Sequence, residues 1–301
     1  MIIELTDTSS REVASALLDA RQRSGGSGGL VLTLLISTDD EHFNDALEAA
    51  RASATAHPSR VIVVTTVAGD TPRLDATIQI GEGLPGDLLV LRLHGPLVDH
   101  GDAICLPLLL PDSPTIAWWP REAPADLRAD PIGSLANRRI TDAAACPDPQ
   151  AALLLRARNL AKGDTDLTWT RLTSWRALLA AALDQTEAPV TGARVLAAAD
   201  NAPATLLTAW LEERLGLTVE QGLGDQPGVN AVVLTTPKGD IAVRRVSGGS
   251  ATYQTPGQPE RTVALRRRPL TDLLTEELER MDADDIFEAA AKRIVAEAEK
   301  H

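Results

Sequence analysis

The chain has 301 residues, 44% hydrophobic and 24% charged, which is an ordinary balance for a globular protein. This length predicts two domains, because one hydrophobic core rarely serves a chain of this size. The net charge of −13 argues against a nucleic acid or an anionic membrane as the main partner, since both are polyanions.

Residues 1–186 alternate between helix-like and strand-like apolar patterns. Thr8–Arg23 has the spacing of an amphipathic helix, and Leu30–Ser37 is typical of a strand buried on both faces. The remaining elements predicted here are a helix ending near Ala56, a strand at Arg60–Val67, a hairpin formed by Asp75–Ile80 and Asp87–Leu93, a stretch at Leu97–Leu110 that is helical until Pro107 and Pro111 stop it, a short strand at Thr115–Trp119, and helices at Pro149–Ala161 and Thr173–Gln185.

Thr186–Gly192 resembles a linker, so we predict an N-terminal domain of residues 1–186 and a C-terminal domain of residues 187–301. The second domain begins with a strand at Gly192–Ala199 and a helix at Pro203–Gly216, and it ends with two acidic helices. The strands predicted between them are Leu217–Gln221, Ala231–Thr236, Ile241–Val246, Ala251–Gln254 and Thr262–Arg267. The predicted fold class is α/β, with two α/β domains that each contain a mixed sheet flanked by helices.

Two glycine-rich stretches match functional motifs in letters only. Gly81–Gly86 fits G-x-G-x-x-G, but a strand follows it where dinucleotide binding requires a helix, so we predict a hairpin turn. Gly25–Gly29 fits G-x-S-x-G with the helix and the strand in the reversed order, so we predict a connector.

The densest group of potential metal ligands is interpreted as loop and cap residues, because its spacing does not place two imidazoles on one helical face. Cys105 lies among aliphatic residues and is predicted to be a buried, inert thiol, and it forms no ligand pair with Cys146. We predict no metal site, no cofactor and no catalytic residue. The residues in this group are His94, Asp99, His100, Asp102 and Cys105.

A proline-rich stretch, Arg92–Asp142, contains the adjacent tryptophans Trp118 and Trp119. Neighbouring residues on a strand point to opposite faces. Either this strand is covered on both sides, or one indole faces a groove or a partner. The sequence leaves both possibilities open.

The segment Lys238–Arg268 is rich in basic residues, whereas the chain after it is acidic. Either the acidic helices partly cancel the basic field, or the segment forms a basic face for an acidic protein or a phosphorylated ligand. The basic residues are Lys238, Arg244, Arg245, Arg261, Arg266, Arg267 and Arg268.

Several separated motifs occur in the order found in one family. They are RLHG within Leu91–Leu97, PLLLPDSP within Leu106–Pro114, IAWWP at Ile116–Pro120, RRITD at Arg138–Asp142 and the stretch Gly163–Arg176. With these motifs the chain resembles the OpcA family, the glucose-6-phosphate dehydrogenase assembly proteins, in its actinobacterial form.

The resemblance implies a non-catalytic, cytoplasmic assembly factor and allosteric activator of glucose-6-phosphate dehydrogenase in the oxidative pentose phosphate pathway. Such a protein would act by protein–protein binding that favours the active oligomer of the dehydrogenase. As the partner interface we predict Trp118, Trp119 and Pro120, with the loop Pro120–Pro131, and with Arg138 and Arg139 as polar neighbours.

Two other functions stay open from the sequence. One is an α/β sensor or enzyme that binds a sugar phosphate or a nucleotide on the basic C-terminal face. The other is a purely structural subunit that does not change the rate of the dehydrogenase. Thiol-linked activation, known among relatives, is not carried over, because Cys105 and Cys146 lie in no matched motif.

Overall fold

A computed structural model describes residues 1–24, 29–81, 86–186, 188–246 and 249–300. It contains fourteen strands in the described residues. They are β1 (Ile2–Leu5), β2 (Leu32–Thr38), β3 (Ser59–Val67), β4 (Arg73–Ile80), β5 (Asp87–His94), β6 (Thr115–Trp118), β7 (Arg138–Thr141), β8 (Asp164–Asp166), β9 (Gly192–Ala197), β10 (Val219–Leu223), β11 (Val229–Thr236), β12 (Gly239–Arg245), β13 (Ser250–Gln254) and β14 (Arg261–Ala264).

The same part of the chain forms ten α-helices, three of them only four or five residues long. The helices are α1 (Ser10–Arg23), α2 (Phe43–Ala56), α3 (Gly101–Cys105), α4 (Pro131–Ser134), α5 (Pro149–Arg158), α6 (Leu167–Thr170), α7 (Thr173–Asp184), α8 (Ala202–Leu215), α9 (Leu270–Leu278) and α10 (Asp285–Ala298).

The chain divides into two compact units, and neither is continuous in sequence. The first consists of Met1–Asp142, Ala161–Thr165 and Leu270–Ala283. The second consists of Ala143–Leu160, Asp166–Pro269 and the chain from Asp284 onward.

The predicted boundary between residues 186 and 187 lies within the second unit, because α7 packs its buried face into the core of that unit. Trp175, Leu179 and Ala182 supply this face. The compact units therefore divide the chain differently from the predicted domains 1–186 and 187–301, which stay a prediction.

The first unit contains an eight-stranded mixed sheet in the order β1-β4-β5-β3-β2-β6-β7-β8. Strands β5, β3, β2, β6 and β7 are mutually parallel, whereas β4 runs antiparallel to both β1 and β5. The predicted hairpin strands thus pair as expected, while the turn between them lies outside the described residues.

Helix α1 shows how local sequence sets one of these elements. Ser9 and Glu12 form a capping box, in which Ser9 Oγ accepts from the Glu12 amide and the Glu12 carboxylate accepts from the Ser9 amide. Val13, Leu17 and Ala20 recur at helical spacing and are buried in the core of the first unit. The predicted helix at Thr8–Arg23 is therefore confirmed, with its start shifted to Ser10.

The second unit contains a six-stranded mixed sheet in the order β10-β9-β11-β12-β13-β14. Strands β9 and β10 are parallel and are joined through α8, and the other neighbouring pairs are antiparallel. Gly216 ends α8 in the left-handed conformation, with φ of 66°. Both units hold a mixed sheet flanked by helices, so the predicted fold class is confirmed.

Three strands were not predicted, because their composition is polar or their length is short. β1 has only four residues, β7 begins with Arg138 and Arg139, and β8 contains two aspartates within Asp164–Asp166. The predicted helical stretch at Leu97–Leu110 is wrong as a single element, although it is interrupted near Pro107 as expected. The structure has 3-10 turns at Gly95–His100 and Leu106–Leu108 on either side of the short α3, as Pro96 and Pro107 remove backbone donors.

Candidate functional site

The adjacent tryptophans lie at the end of β6, in the interior of the first sheet between β2 and β7. Trp118 is 0% exposed and Trp119 is 2% exposed. Of the two possibilities that the sequence left open, the structure therefore has the strand covered on both sides. Neither indole reaches the surface of the described chain.

Trp119 packs into the core of the first unit beneath the loop that follows β6. Its backbone amide donates to the Ile140 carbonyl at 3.0 Å, which continues the pairing of β6 with β7. Its ring shares that core with Leu127 and Ile132, from the loop and from α4. The loop is thus fixed from below by a large aromatic side chain.

Gly133 allows this close packing. A Cβ at this position would lie 1.7 Å from the Leu127 carbonyl oxygen and 3.2 Å from Cη2 of Trp119. Only glycine leaves room for the loop backbone and the indole together.

Trp118 points to the opposite face of the sheet from Trp119. Its neighbours in register are Ile36 on β2 and Ile140 on β7. Its indole Nε1 has no hydrogen-bond partner among the described residues. Trp118 therefore contributes apolar packing inside the first unit.

Arg138 is buried at the start of β7 and binds the end of α9. Its Nη2 donates to Glu277 Oε1 at 2.6 Å, and its Nη1 donates to the carbonyl oxygens of Glu277 and Arg280. Only 3% of its side chain and 5% of that of Glu277 are exposed. This ion pair joins the sheet to a helix that is more than a hundred residues away in sequence.

Arg139 is also buried and binds the segment around β8. Its Nε donates to the Asp164 carboxylate, and its Nη1 and Nη2 donate to the carbonyl oxygens of Ala136 and Lys162 at 2.9 and 2.6 Å. Each guanidinium is therefore engaged within the first unit. From their positions on β7, the two arginines hold neighbouring segments of the first unit in place.

Pro120 is buried, but the loop after it carries exposed charged residues. Asp126 accepts from the amides of Arg128 and Ala129, and Asp130 accepts from the amides that open α4. Burial raises the pKa of Asp130, and those backbone donors partly oppose the shift. The exposed charged side chains of this loop are Arg121, Glu122, Asp126 and Arg128.

The five predicted interface residues thus lie together in the first unit, but they lie beneath its surface. As placed, Trp119 supports the loop, Trp118 packs within the sheet, and the two arginines bind α9 and the segment at β8. Their role at an interface stays a prediction. The predicted interface included the loop Pro120–Pro131 as a whole, without naming its exposed charged residues. These residues could have been found from the sequence, because they are charged residues between Pro120 and Pro131.

The basic residues of the second unit divide between a pocket and the outer surface. Arg245, Arg266, Arg267 and Arg268 line one pocket, together with Arg171. Arg266 and Arg267 follow β14, which ends at Ala264, instead of lying in the strand as predicted. Arg171 was missed because it is far from the basic segment in sequence.

The other predicted motifs supply no binding site in the described residues. His94 Nε2 lies 2.9 Å from Asp75 Oδ2, and no group of three acidic, cysteine or histidine residues in the described chain is arranged to hold a metal. Cys105 is fully buried, as predicted. The interiors of Gly25–Gly29 and Gly81–Gly86 lie outside the described residues.

None of the described helices combines the length and the apolar character that spanning a membrane requires.

Two solved structures overlap most of the chain with low similarity. A dehydrogenase (MviM) from Clostridium difficile has a TM-score of 0.44 and 8% identity, and covers 89% of this chain and 99% of its own. An oxidoreductase from Sinorhizobium meliloti has a TM-score of 0.39 and 9% identity, and covers 90% of this chain and 89% of its own. Such scores support no inference about activity.

No curated protein matches the sequence significantly. Two family models do match, and together they cover most of the chain. Residues 50–158 match the model described as the glucose-6-phosphate dehydrogenase subunit N-terminal domain. Residues 162–291 match the corresponding C-terminal domain. The chain therefore belongs to the OpcA family, whose models describe a glucose-6-phosphate dehydrogenase subunit.

Proposed function

We propose that this protein is a non-catalytic assembly factor and activator of glucose-6-phosphate dehydrogenase in the oxidative pentose phosphate pathway. The observation that carries the proposal is the match of both subunit models, in order, along the chain. Its action is protein binding that favours the active oligomer of the dehydrogenase. A cytoplasmic location is part of this proposal and stays a prediction.

Activation by binding has a definite energetic requirement. The protein must bind the active state of the dehydrogenase more tightly than the inactive state, by about 1.4 kcal/mol for each tenfold shift. A surface that is ordered before binding loses little conformational entropy on docking, which supports tight binding; the preference for the active state must come from contacts that only this state offers.

The loop between Pro120 and Pro131 is our candidate for that surface. Its exposed charges could contact the dehydrogenase, while Asp126 and Asp130 fix its backbone by accepting from amides. In this proposal Trp119 holds the loop from beneath, while Trp118, Pro120, Arg138 and Arg139 stabilise the part of the first unit from which the loop extends.

The proposal is tested by measuring the dehydrogenase with and without this protein. We expect the two chains to co-purify, the mass of the dehydrogenase oligomer to increase, and its turnover to rise. A stable complex without a change in turnover would indicate that this protein is a structural subunit that does not activate the dehydrogenase. Turnover of a metabolite by this protein alone would contradict the non-catalytic assignment.

The interface is tested by reversing one exposed charge in the loop. Arg128→Glu should weaken dehydrogenase binding by about tenfold, which corresponds to about 1.4 kcal/mol. Arg11→Glu, an equal charge change at an exposed site on α1 in the same unit, is the matched control and should bind normally. Equal affinities for both variants would exclude Arg128 from the interface.

Alanine substitution of the tryptophans is a weaker test of the interface. Trp118 and Trp119 are buried, and truncating a buried tryptophan costs about 3–5 kcal/mol of folding free energy. Loss of binding in such a variant can result from unfolding as well as from a lost contact. Substitutions at exposed loop residues, which leave the fold intact, distinguish these two causes.

A further inference from the structure

Five arginines surround one cavity in the second unit, which we name the arginine pocket. Its volume is about 250 Å³, and no aspartate or glutamate is among the described residues that line it. This is unusual for a chain with a net charge of −13, in which carboxylates outnumber bases. The arginines are Arg171, Arg245, Arg266, Arg267 and Arg268.

Neutral backbone carbonyls orient several of these side chains. Arg245 donates to the carbonyl oxygens of Val229 and Leu265, and Arg267 donates to that of Pro227. Arg268 Nη1 donates to the Thr170 carbonyl at 3.3 Å. A carbonyl fixes the direction of a guanidinium without cancelling its charge, so the contacts of Arg245 and Arg267 organise a positive site.

Ion pairing does not neutralise three of the five arginines. In the residues that the structure describes, Arg245, Arg266 and Arg267 form no ion pair with a carboxylate. Burial lowers the pKa of Arg245, and the positive charge of Arg267 lowers it further. The pocket thus concentrates like charges at an energetic cost that a bound anion would offset.

The walls of the pocket favour a small ligand over a protein surface. Trp175 is 3% exposed and contributes an aromatic wall, and the guanidinium of Arg245 lies 5.5 Å from its ring centroid. Pro203, in the first turn of α8, also lines the cavity, so the positive end of a 14-residue helix lies beside it. A cavity of this volume lies slightly below the usual range for small-molecule sites, about 300–1,000 Å³, so it suits a small ligand group.

We propose that the arginine pocket binds a small phosphorylated metabolite through its phosphate group. A guanidinium presents a planar pair of N–H donors that matches two phosphate oxygens, so arginine suits phosphate better than lysine does. Several such groups around one cavity can surround a phosphate dianion. The site lies on residues other than those of the proposed dehydrogenase interface, and its test does not require the dehydrogenase.

The test is calorimetric titration of the isolated full chain at physiological salt, with inorganic pyrophosphate and with glucose 6-phosphate as probes. We expect at least one probe to bind with a dissociation constant below about 1 mM. Arg266→Gln combined with Arg267→Gln should weaken that binding by at least about tenfold. Both side chains are exposed, so this double variant should fold.

Arg214→Gln combined with Arg261→Gln is the matched control. It removes the same charge from exposed positions of the second unit that do not line the pocket, and it should keep the affinity of the unaltered chain. Three results would overturn the proposal. They are the absence of binding for both probes, equal weakening in the two double variants, and tighter binding of a poly-aspartate peptide than of either probe.

Discussion

Gly133 is a residue at which a single atom decides whether the loop can pack. The backbone oxygen of Leu127 occupies the space that a methyl group would need, and a backbone oxygen cannot rotate away as a side chain does. The cost of a substitution must therefore appear as a displaced loop or as lost stability.

Gly133→Ala should lower the free energy of unfolding by about 2–3 kcal/mol through overpacking. Gly69→Ala is the control, because a Cβ at Gly69 meets nothing within 4 Å and the change should be neutral or slightly stabilising. Urea unfolding of both variants measures the difference. Equal stability of the two would show that the loop relaxes without cost.

Cys105 shows how burial determines the chemistry of a residue. Burial, assisted by the negative charge of Asp102, raises the pKa of its thiol from 9.0 to about 12. The folded chain therefore holds the neutral thiol at pH values at which the unfolded chain has already lost the proton.

This shift predicts that alkaline pH destabilises the fold. Between pH 9 and 12 the unfolded state binds fewer protons at Cys105, so the free energy of unfolding falls as pH rises. The slope from this residue is at most about 1.4 kcal/mol per pH unit. Cys105→Ala should remove that slope in urea unfolding measured above pH 9. Parallel pH profiles for the two proteins would contradict the prediction.

At the scale of elements, β7 holds parts of the first unit that are distant in sequence. Arg138 and Arg139 extend from adjacent positions of this strand to α9 and to the segment at β8. Helix α9 also packs against α2 and buries Leu273, Leu274 and Leu278. Each buried leucine contributes about 1.5–3 kcal/mol.

Glu277→Gln should destabilise the first unit by about 3 kcal/mol, because it leaves the buried charge of Arg138 without its carboxylate. Glu48→Gln removes an equal charge from the exposed face of α2 and should change stability by less than about 0.5 kcal/mol. Denaturant unfolding compares the two variants. A small loss in both would mean that α9 is held by its leucines alone.

Element boundaries were predictable where the signal is local. The caps and the apolar spacing of α1 predict its limits to within two residues, and Gly216 marks the end of α8. β7 was not predictable, because its two leading arginines resemble a solvated loop. Only their partners, Glu277 and Asp164, make it favourable to bury them.

At the scale of the whole molecule, the shift toward the active oligomer and the binding preference for that oligomer report one free energy. If this protein activates the dehydrogenase, the factor by which the active oligomer is favoured at saturation equals the ratio of the affinities of this protein for the active and the inactive state.

The two family domains meet between residues 158 and 162, whereas the two compact units alternate along the chain. The family domains and the compact units both place α7 and α8 in the same part of the chain, although a linker-like segment lies between these helices.

The sequence by itself determined the α/β class, the order of most elements and the family, because each depends on local periodicity, on caps or on ordered motifs. Tertiary structure alone decided that Trp118 and Trp119 are both buried, that Arg138 and Arg139 have carboxylate partners, and that Arg171 joins Arg245 and Arg266–Arg268 at one pocket. The reason is physical. Burial and charge pairing depend on residues brought together from far apart in the chain, and no local pattern encodes which residues meet.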